Sequence, residues 1–180
     1  MTAGLVAVGA ALLAGQGASQ QALLAARWTA RTAAPVFLIA YLASSLWRLR
    51  RGPLTTALLK RRRQWGLGFV LAHSIHLAAL LVNIVAFRPR PVSTLVGGGL
   101  AYVLIYLMAL TSNDASQRLL GRWWKWLHRI GIHYIWLIFT ISYASRAFHA
   151  DPTYHVEGRL LAPLFLAALA ARLYARRKPG

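Results

Sequence analysis

Four histidines of this 180-residue chain sit in two apolar stretches, His73 with His76 and His128 with His133. A neutral imidazole binds a metal ion well, and a histidine surrounded by hydrocarbon side chains is a functional-site expectation by default. His73 and His76 are three residues apart, about 60° around a helix, so one face presents both. His128 and His133 are five apart, about 140° around, and meet a common partner less readily. Two helices that each turn an imidazole inward meet the need of a b-type haem. Its iron takes one axial ligand on each side, and two protein ligands favour electron transfer over oxygen binding. A single histidine in such a setting more often bonds a neighbouring helix; four on two helices shift the balance towards ligation.

The elements that must carry these side chains follow from composition. The chain is 58% hydrophobic and 13% charged, with a mean hydropathy of +0.49, too apolar for an ordinary soluble domain. An all-α, polytopic membrane bundle is expected, one transmembrane helical domain over residues 1–180. The formal charge of +18 lies in short clusters between apolar runs, the pattern of loops flanking membrane helices, so no nucleic-acid partner is expected. No cysteine is present, which excludes disulfides, thiolate metal sites and iron–sulfur clusters. The only acids are Asp114, Asp151 and Glu157, all in expected loops, so paired-carboxylate catalysis and intramembrane proton relays have no candidates. His149 and His155 share the outer loop with Asp151 and Glu157. A divalent-cation site there is weighed against solvated loop histidines, and the second is preferred.

Five apolar runs are clear, roughly 31–49, 65–87, 93–111, 127–147 and 159–175, most near the ~20 residues of a bilayer span. A weaker run at 3–25 is interrupted by Gly15-Gln16-Gly17 and Gln20-Gln21. It has no basic residue before its apolar part, unlike a signal peptide, and is read as a first helix. Six helices are therefore expected, five if that segment does not span. The clusters at 48–63, at 114–129 and at the C-terminus hold 15 of the 21 basic residues and fall on one side. Arg27, Arg31, Arg88, Arg90, Arg146 and Arg159 fall opposite. This asymmetry puts the C-terminus in the cytoplasm with either helix count, and both termini there with six; a bacterial inner membrane is the expected location. Arg88-Pro89-Arg90-Pro91 reads as a tight outer turn. Gly97-Gly98-Gly99 allows close helix packing or space for a planar ligand, and packing is the preferred reading.

Depth then relates the histidines. Counted from Trp65 at the cytoplasmic edge, His73 and His76 lie roughly 12 and 17 Å in, at 1.5 Å per residue. Counted from Trp124, His128 and His133 lie roughly 6 and 14 Å in. The two helices run in the same direction in this topology. Trp123, Trp124 and Trp126 read as an interfacial belt, and Arg129 as a residue reaching to the cytoplasmic interface. Tyr102, Tyr106, Tyr134 and Tyr143 read as packing groups with a polar handle.

Two motifs carry a family resemblance. Arg62-Arg63-Gln64-Trp65-Gly66-Leu67 is followed by His76, ten residues after Gly66. Leu110-Thr111-Ser112 is followed by Gly121-Arg122-Trp123-Trp124-Lys125-Trp126-Leu127-His128-Arg129. Over about residues 30–150 the chain resembles the ferric reductase-like transmembrane domain family. That family includes the membrane haem-b subunit of bacterial methionine sulfoxide reductase systems. The resemblance implies a haem-b bundle that passes electrons across the membrane, with His76 and His128 at the ligand positions. The family's fifth helix usually has a second histidine thirteen residues after the first; here that position is Ile141. One haem is therefore expected, its iron held by His76 with His128 or His133 opposite; His73 completes the cofactor-binding candidates. Nothing resembles a flavin or nicotinamide domain. Electrons would come from a quinol or a separate reductase and leave to a partner redox protein or membrane complex. The alternative is a haem-free helical subunit that scaffolds a larger membrane complex.

Overall fold

The fold is all-α. A computed structural model describes residues 17–177 together with Leu5 and Gly9, and among these no strand occurs. From Ala18 on, the described residues form seven α-helices: α1 Ala18–Leu49, α2 Pro53–Lys60, α3 Arg62–Val82, α4 Val92–Leu110, α5 Asp114–Leu120, α6 Arg122–Ala147 and α7 His155–Arg177. A π-helical turn, Asn83–Phe87, extends α3, and a 3₁₀ turn, Pro152–Tyr154, leads into α7. The apolar runs at 65–87, 93–111, 127–147 and 159–175 thus become α3 with its π turn, α4, α6 and α7.

The N-terminal reading needs one correction. Helix α1 is continuous from Ala18 through the run expected at 31–49, and Gln20-Gln21, Arg27 and Arg31 lie within it. Glutamine, arginine, alanine and leucine are all good helix formers, so polar residues that lower local hydropathy do not stop the helix. Arg27 and Arg31 are consequently helical residues. The rest of the 3–25 segment, Leu5, Gly9 and Gly17 aside, lies outside the described residues. Pro35 sits inside α1, where it lacks the N–H that would reach the Arg31 carbonyl.

Among the described residues three helical segments are long and apolar enough to cross a membrane: Ala18–Leu49, Arg62–Phe87 and Val92–Leu110. Helices α6 and α7 have the length, 26 and 23 residues, but carry Arg122, Lys125 and Arg129, and Arg159, Arg172 and Arg176. The short helices α2 and α5 are punctuated locally. Pro53 opens α2 at the position where a missing N–H costs nothing, and the Gly52 N–H donates to Thr55 Oγ1 at 3.1 Å. Asn113 caps α5 by accepting from the Ser116 N–H at 2.8 Å. Gly121, at φ +51°, ends α5 in a conformation that suits glycine and starts α6 at once.

The described residues fall into two compact units. The first joins α1 up to Ala40 with Arg63–Val96; the second joins Tyr41–Arg62 with the chain from Gly97. In the first, Phe37 of α1 meets Phe69 of α3 edge-on at 5.2 Å. Arg88, just after the π turn, donates to the Ser19 carbonyl at 2.7 Å and to Asn83 Oδ1 at 3.1 Å. In the second, Phe139 and Tyr143 of α6 gather on the fully buried Phe165 of α7, at 5.2 and 5.7 Å. Trp136 donates its indole N–H to the Phe165 carbonyl at 2.8 Å.

Candidate functional site

The first unit brings His73 and His76 together on α3, their ring centroids 5.1 Å apart. His73 is buried, stacked on Phe69 at 5.0 Å. His76 is half-buried, and its Nδ1 lies 3.2 Å from the hydroxyl oxygen of Thr29 on α1. Thr29 has no exposed surface, and its Oγ1 lies 2.7 Å from the Ala25 carbonyl and 3.1 Å from that of Ala26. Sequence reasoning did not find Thr29. It stands 47 residues from His76, and its one signal is a polar side chain amid alanines.

The second unit holds His128 and His133 on α6 in different settings. His128 stacks on Trp124 at 4.0 Å, with Nδ1 3.1 Å from the Trp124 carbonyl and Nε2 3.4 Å from Ser112 Oγ. The Ser112 hydroxyl donates to the Met108 carbonyl at 2.6 Å, so it offers His128 a lone pair. Both ring nitrogens of His128 therefore face acceptors, of which a neutral imidazole, with one N–H, serves only one. Trp124 in turn donates its indole N–H to the Thr111 carbonyl at 2.8 Å. The Thr-Ser loop and the tryptophan motif recognised in the sequence thus close on each other around His128.

His133 has a simpler arrangement. Its Nδ1 lies 2.6 Å from the Arg129 carbonyl one turn back, an acceptor that fixes the proton on Nδ1. The unprotonated nitrogen is then Nε2, the tautomer in which a helical histidine binds a metal. The ring also meets Tyr41 edge-on at 5.9 Å. Tyr41 is fully buried beneath the Arg172 guanidinium, which stacks 4.5 Å from the ring and donates to the Tyr41 carbonyl. A cation within α7 is thereby paired with a π-face and a backbone acceptor.

The remaining candidates each make local contacts. Arg129 lies over Trp126 at 5.5 Å and Arg122 over Trp123 at 5.3 Å, with both tryptophans exposed. Tyr134 donates to the Gly97 carbonyl at 3.1 Å, and Tyr102 stacks on Tyr106 at 6.4 Å. Gly97 lies against α6, where an added Cβ would meet Ile138 Cδ1 at 3.5 Å, so one glycine of the triad serves helix packing. Between α6 and α7 Asp151 caps the 3₁₀ turn through the Thr153 N–H, His155 Nε2 lies 2.6 Å from the His149 carbonyl, and Glu157 pairs with Arg146 at 3.4 Å. No group of three or more His, Asp or Glu gathers among the described residues. Ile141, thirteen residues after His128, is 56% exposed on α6.

A haem iron takes a lone pair from an imidazole nitrogen; the histidines of α3 and α6 are side chains of that kind, and the carbonyl beside His133 Nδ1 leaves one on its Nε2. Comparison with known proteins points the same way. The chain is 25% identical to the protein-methionine-sulfoxide reductase heme-binding subunit MsrQ of Pasteurella multocida (strain Pm70), over 63% of this chain. The two proteins are distantly related. The match spans 61% of the relative's length. No protein-family model matches the chain, and no solved structure does. Three apolar helices and this relative together make the chain an integral membrane protein.

Proposed function

We propose that this chain is a membrane haem-b electron-transfer subunit. It takes electrons from a quinol or a separate reductase and passes them across the bilayer to a partner redox protein or membrane complex. The observation that carries this reading is His76, an imidazole inside an apolar helix, in a chain similar to a heme-binding subunit. Haem, when bound, supplies reversible one-electron exchange between ferric and ferrous iron. His76, together with His133 or His128, would supply the nitrogens that hold its iron; His73 packs beside His76. One haem is assigned, because Ile141 offers no nitrogen where the family's second pair has one.

The bundle crosses the bilayer as a single transmembrane domain over residues 1–180. Helices α6 and α7, about 39 and 35 Å long at 1.5 Å per residue, span beside the three apolar segments. Their arginines lie towards the ends or, for Arg172, against Tyr41. The C-terminus faces the cytoplasm of a bacterial inner membrane.

A second reading, a haem-free helical subunit that scaffolds a membrane complex, is favoured by the exposed Ile141 and by the acceptors that flank both nitrogens of His128. One experiment separates the two. The full chain, expressed in haem-replete cells and purified in detergent, should show a sharp b-type α-band on dithionite reduction, and His76→Ala should lose it. A colourless, folded wild-type protein would leave the scaffold.

A further inference from the structure

We propose that Thr29 is a positioning residue for His76. Its hydroxyl oxygen accepts the Nδ1 proton, holds the imidazole in the tautomer with its lone pair on Nε2, and so sets that nitrogen up as an axial ligand.

The argument is one of hydrogen counting. A threonine hydroxyl has one proton to give and two lone pairs to offer. Thr29 Oγ1 is 2.7 Å from the Ala25 carbonyl, 3.1 Å from that of Ala26 and 3.2 Å from His76 Nδ1. The shortest of the three contacts takes the proton, and a helical carbonyl is a strong acceptor one turn back. What Thr29 turns to His76 is a lone pair, so Nδ1 must be the donor. A neutral imidazole carries one N–H, which leaves Nε2 unprotonated.

Position makes this contact hard to replace. Thr29 is fully buried, so water cannot substitute for its oxygen. The His73 ring, stacked on Phe69, lies 5.1 Å from the His76 ring and limits its rotation on one flank. Thr29 and His76 lie on α1 and α3 of one compact unit, so the bond also ties the ligand to a neighbouring helix. An acceptor on Nδ1–H makes the opposite nitrogen a better donor to iron, and such partners tune both affinity and redox potential.

The competing account is plain interhelical bonding, in which Thr29 matters for stability alone. Thr29→Val, equal in shape and lacking the oxygen, separates the two, with Thr29→Ser as the conservative control. Nitrogen NMR on the full chain, labelled at histidine and not yet loaded with haem, reads the tautomer directly. His76 should show a protonated Nδ1 and an unprotonated Nε2 in wild type and Thr29→Ser, and a mixture in Thr29→Val. On loading, Thr29→Val should bind haem about 10-fold more weakly, the lower end of such outer-partner effects. Its midpoint potential should rise, because a weaker donor stabilises ferric iron less. Thr29→Ser should restore both.

The inference rests on the haem reading, and the two fail differently. Pigment retained in His76→Ala removes His76 as a ligand and overturns the positioning role, whatever the tautomer. Pigment lost in His76→Ala, with tautomer, affinity and potential unchanged in Thr29→Val, overturns Thr29 and leaves the haem reading standing. A wild-type His76 protonated on Nε2 overturns it without any variant.

Discussion

Which ring nitrogen carries the proton decides what else a histidine can bind, and on α6 the acceptors around two residues one and a half turns apart differ in number. His133 gives its Nδ1 proton to the Arg129 carbonyl and presents Nε2. His128 has an acceptor beside each nitrogen, the Trp124 carbonyl and Ser112, can bond only one of them while neutral, and is stacked on Trp124 besides. The sequence left these two open, since spacing reports only which face a residue occupies. We expect His133→Ala to lower the haem-to-protein ratio as far as His76→Ala does. His128→Ala should keep its pigment and lose about 1 kcal/mol of stability, the net worth of an ordinary hydrogen bond. Pyridine haemochrome assay beside thermal unfolding reads both. Pigment lost in His128→Ala and kept in His133→Ala would reverse the assignment. All four histidines were legible as candidates, because an imidazole in a hydrocarbon run stands out. Thr29 was not, since its partner is 47 residues away and threonine is unremarkable in a helix.

Helices were easier to read than their ends. The runs expected at 65–87, 93–111, 127–147 and 159–175 each match a helix to within a few residues, because apolar length and helix length coincide in a membrane bundle. The beginning of α1 was missed because hydropathy and helix propensity part company at Gln20-Gln21, Arg27 and Arg31. Close approaches between helices were not legible either, and glycines mark them unevenly. A Cβ added at Gly158 of α7 would lie 2.1 Å from the Ala147 backbone nitrogen at the end of α6. Backbone cannot step aside, so the α6–α7 hairpin would have to open. At Gly131 the clash is with Met108 Sδ at 2.6 Å, the far part of a flexible side chain. At Gly97 the contact with Ile138 is ordinary at 3.5 Å. The expected order of destabilisation is Gly158→Ala, then Gly131→Ala, then Gly97→Ala, with about 1–3 kcal/mol for the first, as for an overpacked core. Melting temperatures in one detergent test the order; equal losses at all three would show that the hairpin yields.

At the scale of the whole molecule the decisive quantity is the distribution of 21 basic residues against three acids. With Arg27 and Arg31 inside α1, the connector Arg88-Pro89-Arg90-Pro91 and the ends of the α6–α7 hairpin hold the remaining opposite-side cations, Arg88, Arg90, Arg146 and Arg159. The α2 and α5 regions and the C-terminal turn of α7 hold the larger share. A membrane potential negative inside, with anionic lipid on the same face, retains such clusters in the cytoplasm. The absence of cysteine makes this measurable, because any introduced thiol is the only one present. Lys60, Arg90 and Gln117 are exposed positions at connectors or on the short helices. A membrane-impermeant maleimide added to intact spheroplasts should label Arg90→Cys at once, and Lys60→Cys and Gln117→Cys only after lysis. The inverse pattern would overturn the orientation and with it the direction assigned to electron flow. Thr2→Cys then decides between six spans and five, which charge alone cannot do, since both place every cluster on the same side. Protection of Thr2→Cys until lysis means that the chain starts in the cytoplasm and crosses before α1. Labelling from outside means that α1 is the first crossing, and the bundle around His76 is built from five helices.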